Sequence, residues 1–133
     1  MRVQFPLSAK NFYLFCVLMN NSVIIIDDNN NRCNRIKASL EVKHINVFIA
    51  ESIYELIGKI YQYNIHILIF NPDLCWINVI DFIMQLKKFF EKDLKIFFIY
   101  ETIDETLKKE AKKLNVLCIK YPSHINKLIK NIK

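Results

Sequence analysis

The chain is 133 residues long, 53% apolar and formally +6 at pH 7, with a pI near 9.1. That length carries one domain with an ordinary core and is too short for a catalytic domain joined to an effector. A single glycine, Gly58, excludes phosphate-cradling loops and dinucleotide fingerprints, which need several glycines so that backbone N–H groups can approach an anion closely.

The positive charge fits a nucleic-acid or anionic-membrane partner in principle. The lysines are spread over several predicted faces, however, and they accompany heavy use of Ile and Asn, as AT-rich coding would impose. The four cysteines (Cys16, Cys33, Cys75, Cys118) are far apart, with no CxxC pair and no histidine at zinc-ligand spacing. Cys33 and Cys118 fall in apolar patterns and read as core thiols. A disulfide framework is not expected, and a reducing, cytoplasmic setting fits better.

Residues 1–18 stand apart. Arg2 and Lys10 precede an apolar run, residues 12–19, that is far shorter than the ~20 residues needed to span a bilayer. Asn20, Asn21 and Ser22 follow it without a small-residue cleavage pattern. The segment reads as an N-terminal extension, unneeded or loosely docked, with Met19 as an alternative start. No membrane partner is expected, and residues 19–133 read as one domain.

From Val23 the pattern alternates regularly. The run VIII (23–26) is continuous, apolar and β-branched, as in a strand buried on both faces. Residues 29–43 carry Cys33, Ile36 and Leu40 at helical spacing, and residues 45–50 form a second predicted strand. Ser52 and Glu55 are spaced as a capping box, opening a helix whose Ile53, Leu56, Ile57 and Ile60 lie on one stripe.

Residues 65–70 make a third strand, which stops at Asn71-Pro72. A helix then directs Val79, Ile80, Ile83, Leu86 and Phe90 inward, and residues 95–100 form a fourth strand. Thr102 and Glu105 are spaced as a second capping box, opening a charged helix to about Leu114. Residues 116–119 form a short fifth strand. Ser123 is placed to cap a last helix with Ile125, Leu128, Ile129 and Ile132 on one face. Five strands alternating with five helices predict right-handed βαβ crossovers and an α/β, three-layer sandwich around a parallel sheet.

In such a sheet the strand ends deliver side chains to one edge, where these folds put their chemistry. Asp27 and Asp28 end the first strand, Asn71 the third, Tyr100 and Glu101 the fourth, and Lys120 the fifth. With the double acid, the NVFIAESIYEL stretch and the late lysine in register, residues 23–133 resemble the receiver domain of bacterial two-component response regulators.

The resemblance implies a flavodoxin-like (βα)5 fold with strand order 2-1-3-4-5. In that family two acids and a phosphorylated aspartate bind Mg²⁺, and a Ser/Thr hydroxyl and a lysine hold the phosphoryl group. Asp27 and Asp28 match the acid pair and Lys120 the lysine, while Asn71 falls on the phosphoacceptor position. An amide is not a phosphoryl nucleophile, whereas a carboxylate oxygen is. Tyr100 occupies the switch position in place of Ser/Thr. Cys75 and Val79 also depart from the usual proline and glycine, and Tyr121 separates Lys120 from Pro122, so a cis Lys-Pro bond has no place.

With these departures the resemblance implies a stand-alone, degenerate receiver with no catalytic residue, not an enzyme. It would work in a phosphorelay as a phosphorylation-independent interaction module. Its partner would be a histidine kinase, another receiver or an unrelated signalling protein, with a homodimer as a further expectation. No cofactor is expected beyond weak Mg²⁺ binding, since Mg²⁺ needs charged oxygens to offset its dehydration.

The partner face would carry Lys108, Lys109, Lys112, Lys113, Lys127 and Lys130, within a stretch (residues 104–133) holding eight lysines against three acids. A second reading is a small basic nucleic-acid-binding protein that reuses the fold. A third, an enzyme at the Asp27/Asp28 edge, lacks a nucleophile or histidine beside the acids. Asp73 reads as a solvated loop acid, and His44, His66 and His124 are scattered without partners at ligand spacing. Trp76 suits a partner anchor and a cover over the site equally.

Overall fold

The computed structural model describes residues 22–74, 77–90 and 93–132. The extension 1–18, Cys75 and Trp76 lie outside the described residues. Chain order runs β1 (Val23–Ile26), α1 (Asn30–Glu41), β2 (Val47–Ile49), α2 (Ile53–Tyr63), β3 (Ile67–Phe70), α3 (Val79–Phe89), β4 (Lys95–Tyr100), α4 (Glu105–Lys113), β5 (Leu117–Lys120) and α5 (Ile125–Ile132). Among the described residues the strands form one sheet of order β2-β1-β3-β4-β5, parallel throughout. The expected flavodoxin-like arrangement is the one observed.

Register follows from apolar runs that pair in phase. Val23, Ile67 and Lys95 form the first row of the central strands, and Ile26, Phe70 and Phe98 the last. Because strand side chains alternate between faces, Ile24 and Ile26 join the core under α2, α3 and α4, while Val23 and Ile25 join the core under α1 and α5. All four β1 residues are at most 1% exposed, and burying each such side chain contributes ~2 kcal/mol. Covered on both faces, the central strands need no polar alternation, which is why they read as unbroken apolar runs.

Helix starts are capped by side chains. Asn29 Oδ1 accepts from Arg32 N–H, Ser52 Oγ from Glu55 N–H, and Asn78 Oδ1 from Asp81 N–H. Two expected caps differ. Thr102 does not open α4; Asp104 does, its carboxylate accepting from Thr106 N–H. A carboxylate both accepts this bond and suits the positive end of the helix dipole, so the cap lies two residues beyond Thr102 and the helix begins at Glu105. Nor does Ser123 lead directly into α5. Residues 121–124 form turns in which His124 N–H reaches Lys120 O, and the helix starts at Ile125.

The cis bond excluded between lysine and proline is present one step later, at Tyr121–Pro122. His66 and His124 both fall just outside the elements predicted for them, immediately before β3 and α5.

A chain with one glycine must turn out of its helices by other means. His44 (φ 63°), Asn64 (φ 52°) and Asn115 (φ 60°) take the left-handed positions that glycine usually fills. Asparagine tolerates this region better than most residues because its short polar side chain can bond locally. The one glycine, Gly58, sits instead inside α2, where an added Cβ would meet nothing within 4 Å.

Candidate functional site

Strands β1, β3, β4 and β5 run parallel and end at the same C-terminal edge of the sheet, and the site is built there from β1 outward. Asp27 follows directly from the fully buried run Val23–Ile26 and is itself 7% exposed. A buried carboxylate needs donors, and Asp27 has them. Its Oδ1 accepts from Asn29 N–H at 3.0 Å, from Arg32 Nη2 at 2.8 Å and from Asn71 Nδ2 at 3.2 Å. Its Oδ2 accepts from Arg32 Nε at 2.5 Å. Four donors thus converge on this carboxylate, three on Oδ1 and one on Oδ2.

Arg32 is the residue that sequence reasoning missed. It lies in the first turn of α1, five positions after Asp27, and its guanidinium turns back over the strand end. Nε and Nη2 grip Asp27 from the side, while Nη1 reaches Glu101 Oε2 at 2.7 Å, just past the end of β4. One cation thus ties the tip of β1 to the tip of β4. The bond to Asp27 is the largest cause raising the Arg32 pKa above its ordinary value, with burial opposing it. The signal for this role was the Asn29 cap, which fixes where α1 starts and so aims the next basic side chain at the strand end.

Asn71 follows β3, with its backbone N–H bonded to Ile26 O at 2.9 Å. It is 7% exposed, and its side chain has a direction set by its partners. Nδ2 donates to Asp27 Oδ1 at 3.2 Å and to Asp28 Oδ1 at 3.3 Å, while Oδ1 accepts from the Asp73 N–H at 3.0 Å. The reverse orientation would set the carbonyl oxygen against two carboxylates and the amide hydrogens against another N–H. Pro72, which supplies no N–H, is buried beside it.

The structure therefore brings Asp27, Asp28 and Asn71 into hydrogen-bonding reach of one another, joins Glu101 to them through Arg32, and adds Arg32 itself. Lys120 is exposed at the end of β5, paired in register with Tyr100, and makes no ion pair with the acids among the described residues. Among the described residues, the cation that pairs with Asp27 and Glu101 is Arg32. Asp73 is exposed on the loop. Lys108, Lys109, Lys112 and Lys113 on α4, and Lys127 and Lys130 on α5, are all exposed.

A cleft of about 210 Å³ beside the site is lined by Asp27, Asp28, Asn30 and Glu51. Of the two thiols expected in the core, Cys33 is buried behind it and Cys118 only half-buried. The Cys33 Sγ lies 3.4 Å from Asp27 O; burial, and next the Asp27 carboxylate, push this thiol up to about 11.

The residues as arranged do not fit a hard divalent cation. Mg²⁺ requires oxygen ligands in near-octahedral order. Here N–H donors crowd Asp27 Oδ1, the Arg32 guanidinium lies against Oδ2, and Asn71 turns amide hydrogens, not its oxygen, toward the acids. No group of three or more His, Cys, Asp or Glu suited to a metal occurs among the described residues. No helix among them is long and apolar enough to cross a membrane.

No protein-family model and no curated protein matches the chain. Solved structures do. A response regulator signal receiver domain from Bermanella marisrubri is 18% identical, with a TM-score of 0.74 over 85% of this chain and 95% of that one. A CheY-like receiver domain protein from Methanospirillum hungatei is 18% identical (TM-score 0.71, 84% and 89%). The chemotaxis protein CheY4 of Vibrio cholerae is 17% identical (TM-score 0.67, 84% and 94%). The chain thus shares the fold of response-regulator receiver domains across nearly their whole length.

Proposed function

We propose that this protein is a stand-alone receiver-like domain of a phosphorelay signalling system that docks partners without being phosphorylated. The observation that carries the reading is the self-contained charge balance at the strand ends. Arg32 neutralises Asp27 from within the chain, and Asn71 donates to both Asp27 and Asp28. A phosphoacceptor site needs the opposite: a free carboxylate as nucleophile and open oxygens for a cation. The receiver fold supports a signalling role, and a protein partner such as a histidine kinase or another receiver suits a domain of this size.

The test is phosphorylation by acetyl phosphate with Mg²⁺, read by intact mass. No acid-labile phosphate should appear, and affinity for a captured protein partner should be the same with and without acetyl phosphate. A phosphorylated wild-type chain would sink the proposal.

A second reading rests on the exposed lysines of α4 and α5, which suit a nucleic-acid backbone. It requires retention on DNA or RNA that falls steeply with salt, and salt-insensitive or absent retention rejects it.

A further inference from the structure

The outer surfaces of α2 and α3 carry features that neither the fold nor the acid edge uses. Among the large apolar side chains exposed in the described residues, Tyr54, Tyr61, Met84 and Phe89 all lie on these two helices, Tyr54 being 90% and Phe89 63% exposed. Between the helices runs an apolar groove of about 200 Å³, lined by Ile57, Phe82, Gln85, Leu86 and Phe89. Tyr61 of α2 and Phe89 of α3 meet there edge to face, with ring centroids 6.4 Å apart. Aromatic surface gathered in one place on a small domain marks an interaction site.

The single glycine of the chain sits on the same face. Gly58 is exposed, one turn after Tyr54 and one turn before Tyr61, and an added Cβ there would meet nothing within 4 Å. A glycine inside a helix costs about 1 kcal/mol relative to alanine, and no positive φ requires one here. What Gly58 provides is a notch between two tyrosines, into which another molecule can approach closely.

The charges beside the groove indicate what fits it. Helix α2 carries Glu55 in its first turn and no basic residue in its last, whereas α3 carries Asp81 in its first turn and Lys87 and Lys88 in its last. Both helices return between strands of one parallel sheet, so they run in the same direction. A second copy, related by a two-fold axis through the groove, lays α2 of one molecule antiparallel on α3 of the other. Glu55 then faces Lys88 of the other copy, Gly58 faces Gln85 and Tyr54 faces Phe89, each contact made twice by symmetry. A two-fold axis along the helices would instead set Glu55 against Asp81, and like charges in register disfavour that pairing.

We propose that the α2–α3 face is a homodimer interface, covered by the same two helices of a second copy. The aromatics form its apolar centre and the Glu55–Lys88 pairs its charged rim, the usual anatomy of a protein interface. Helix α5 packs on the opposite side of the sheet, and the acid edge lies beyond the strand ends. The dimer therefore leaves both open to a further partner. It does not depend on the phosphorylation-independent reading of the acid edge.

Sedimentation velocity of the full-length chain over a concentration series tests the interface. The wild type should show a reversible monomer–dimer equilibrium. Phe89→Asp and Gly58→Gln should each weaken association by about tenfold or more, as at an interface hot spot. Gly58→Gln keeps the fold, because glutamine is the better helix former and enters open space. Lys88→Glu should weaken the dimer several-fold, and adding Glu55→Lys should recover it, as antiparallel pairing of α2 on α3 requires.

A wild type that stays monomeric at every concentration overturns the proposal. So does a dimer indifferent to both Phe89→Asp and Gly58→Gln, whose interface must lie elsewhere. A double charge reversal no stronger than Lys88→Glu alone overturns it too.

Discussion

Arg32 and Asp27 form a two-pronged ion pair, Nε to Oδ2 at 2.5 Å and Nη2 to Oδ1 at 2.8 Å, with the Asp27 side chain only 2% exposed. The pair is local in sequence but long-range in effect, because the remaining arm of the guanidinium extends to Glu101, sixty-nine positions away.

Removing that cation leaves a buried carboxylate whose remaining donors are neutral. Arg32→Ala is expected to destabilise the fold by about 3 kcal/mol, the scale of an uncompensated buried charge. Arg32→Lys keeps the charge but lacks the planar fork that spans two acids, so its loss should fall in between. Urea unfolding of the three proteins measures both, and equal stability of wild type and Arg32→Ala would contradict the assignment.

Asn71→Asp exchanges a donor for a third carboxylate within about 3.3 Å of Asp28 and 3.2 Å of Asp27. Hydrogen bonds to charged groups are worth about 1.5–3 kcal/mol, and like charges at this range repel, so a loss of about 3 kcal/mol is expected without divalent cations. In Arg32→Ala/Asn71→Asp, three carboxylates face each other with the arginine gone. Mg²⁺ should raise the melting temperature of this double variant by binding the native state alone, and should leave the wild type unmoved.

Gly58 lies on the exposed side of α2, inside the helix, with open space where a Cβ would be. Glycine in a helix interior costs about 0.8–1.0 kcal/mol relative to alanine. Gly58→Ala should therefore stabilise the protein by roughly that amount, read from the shift in the urea midpoint at constant slope.

Cys33 supplies a pH dependence. Its folded pKa of about 11 lies above the ordinary 9.0, through burial first and the Asp27 carboxylate next. The native state therefore holds the thiol proton longer than the unfolded chain does. The stabilisation is fully present below pH 9 and is lost as pH rises toward 11. Wild type should lose stability across that window relative to Cys33→Ala, and at pH 8 a thiol reagent should label Cys33 only after unfolding.

Much of this architecture is written in local pattern. The runs 23–26, 67–70 and 96–99 are apolar without alternation because both faces of the sheet are covered, the pattern of central parallel strands. Asn71 and the acid pair could be placed at one edge because strand ends converge in this topology. Arg32 could not be found so directly. In NNRCNR it looks like any polar helix position, and its value comes from a fold-back onto Asp27 and from Glu101, which approaches only when β4 is laid beside β3.

The two displaced helix starts have the same origin. Thr102 and Ser123 have suitable side chains, but tertiary placement of the preceding strand ends gave the cap to Asp104 and put a turn before α5.

Pro72 gives Asn71 a chemical permanence that hydrogen bonding alone would not. Asparagine ordinarily ages to aspartate when the backbone nitrogen of the next residue attacks its side-chain carbonyl and closes a succinimide ring. Proline's nitrogen carries no hydrogen to lose and is already fully substituted, so that ring cannot close at Asn71-Pro72. Conversion of the amide to a carboxylate is left to direct hydrolysis, which is far slower than ring closure, so Asn71 should keep its amide over times in which an asparagine followed by an ordinary residue would age.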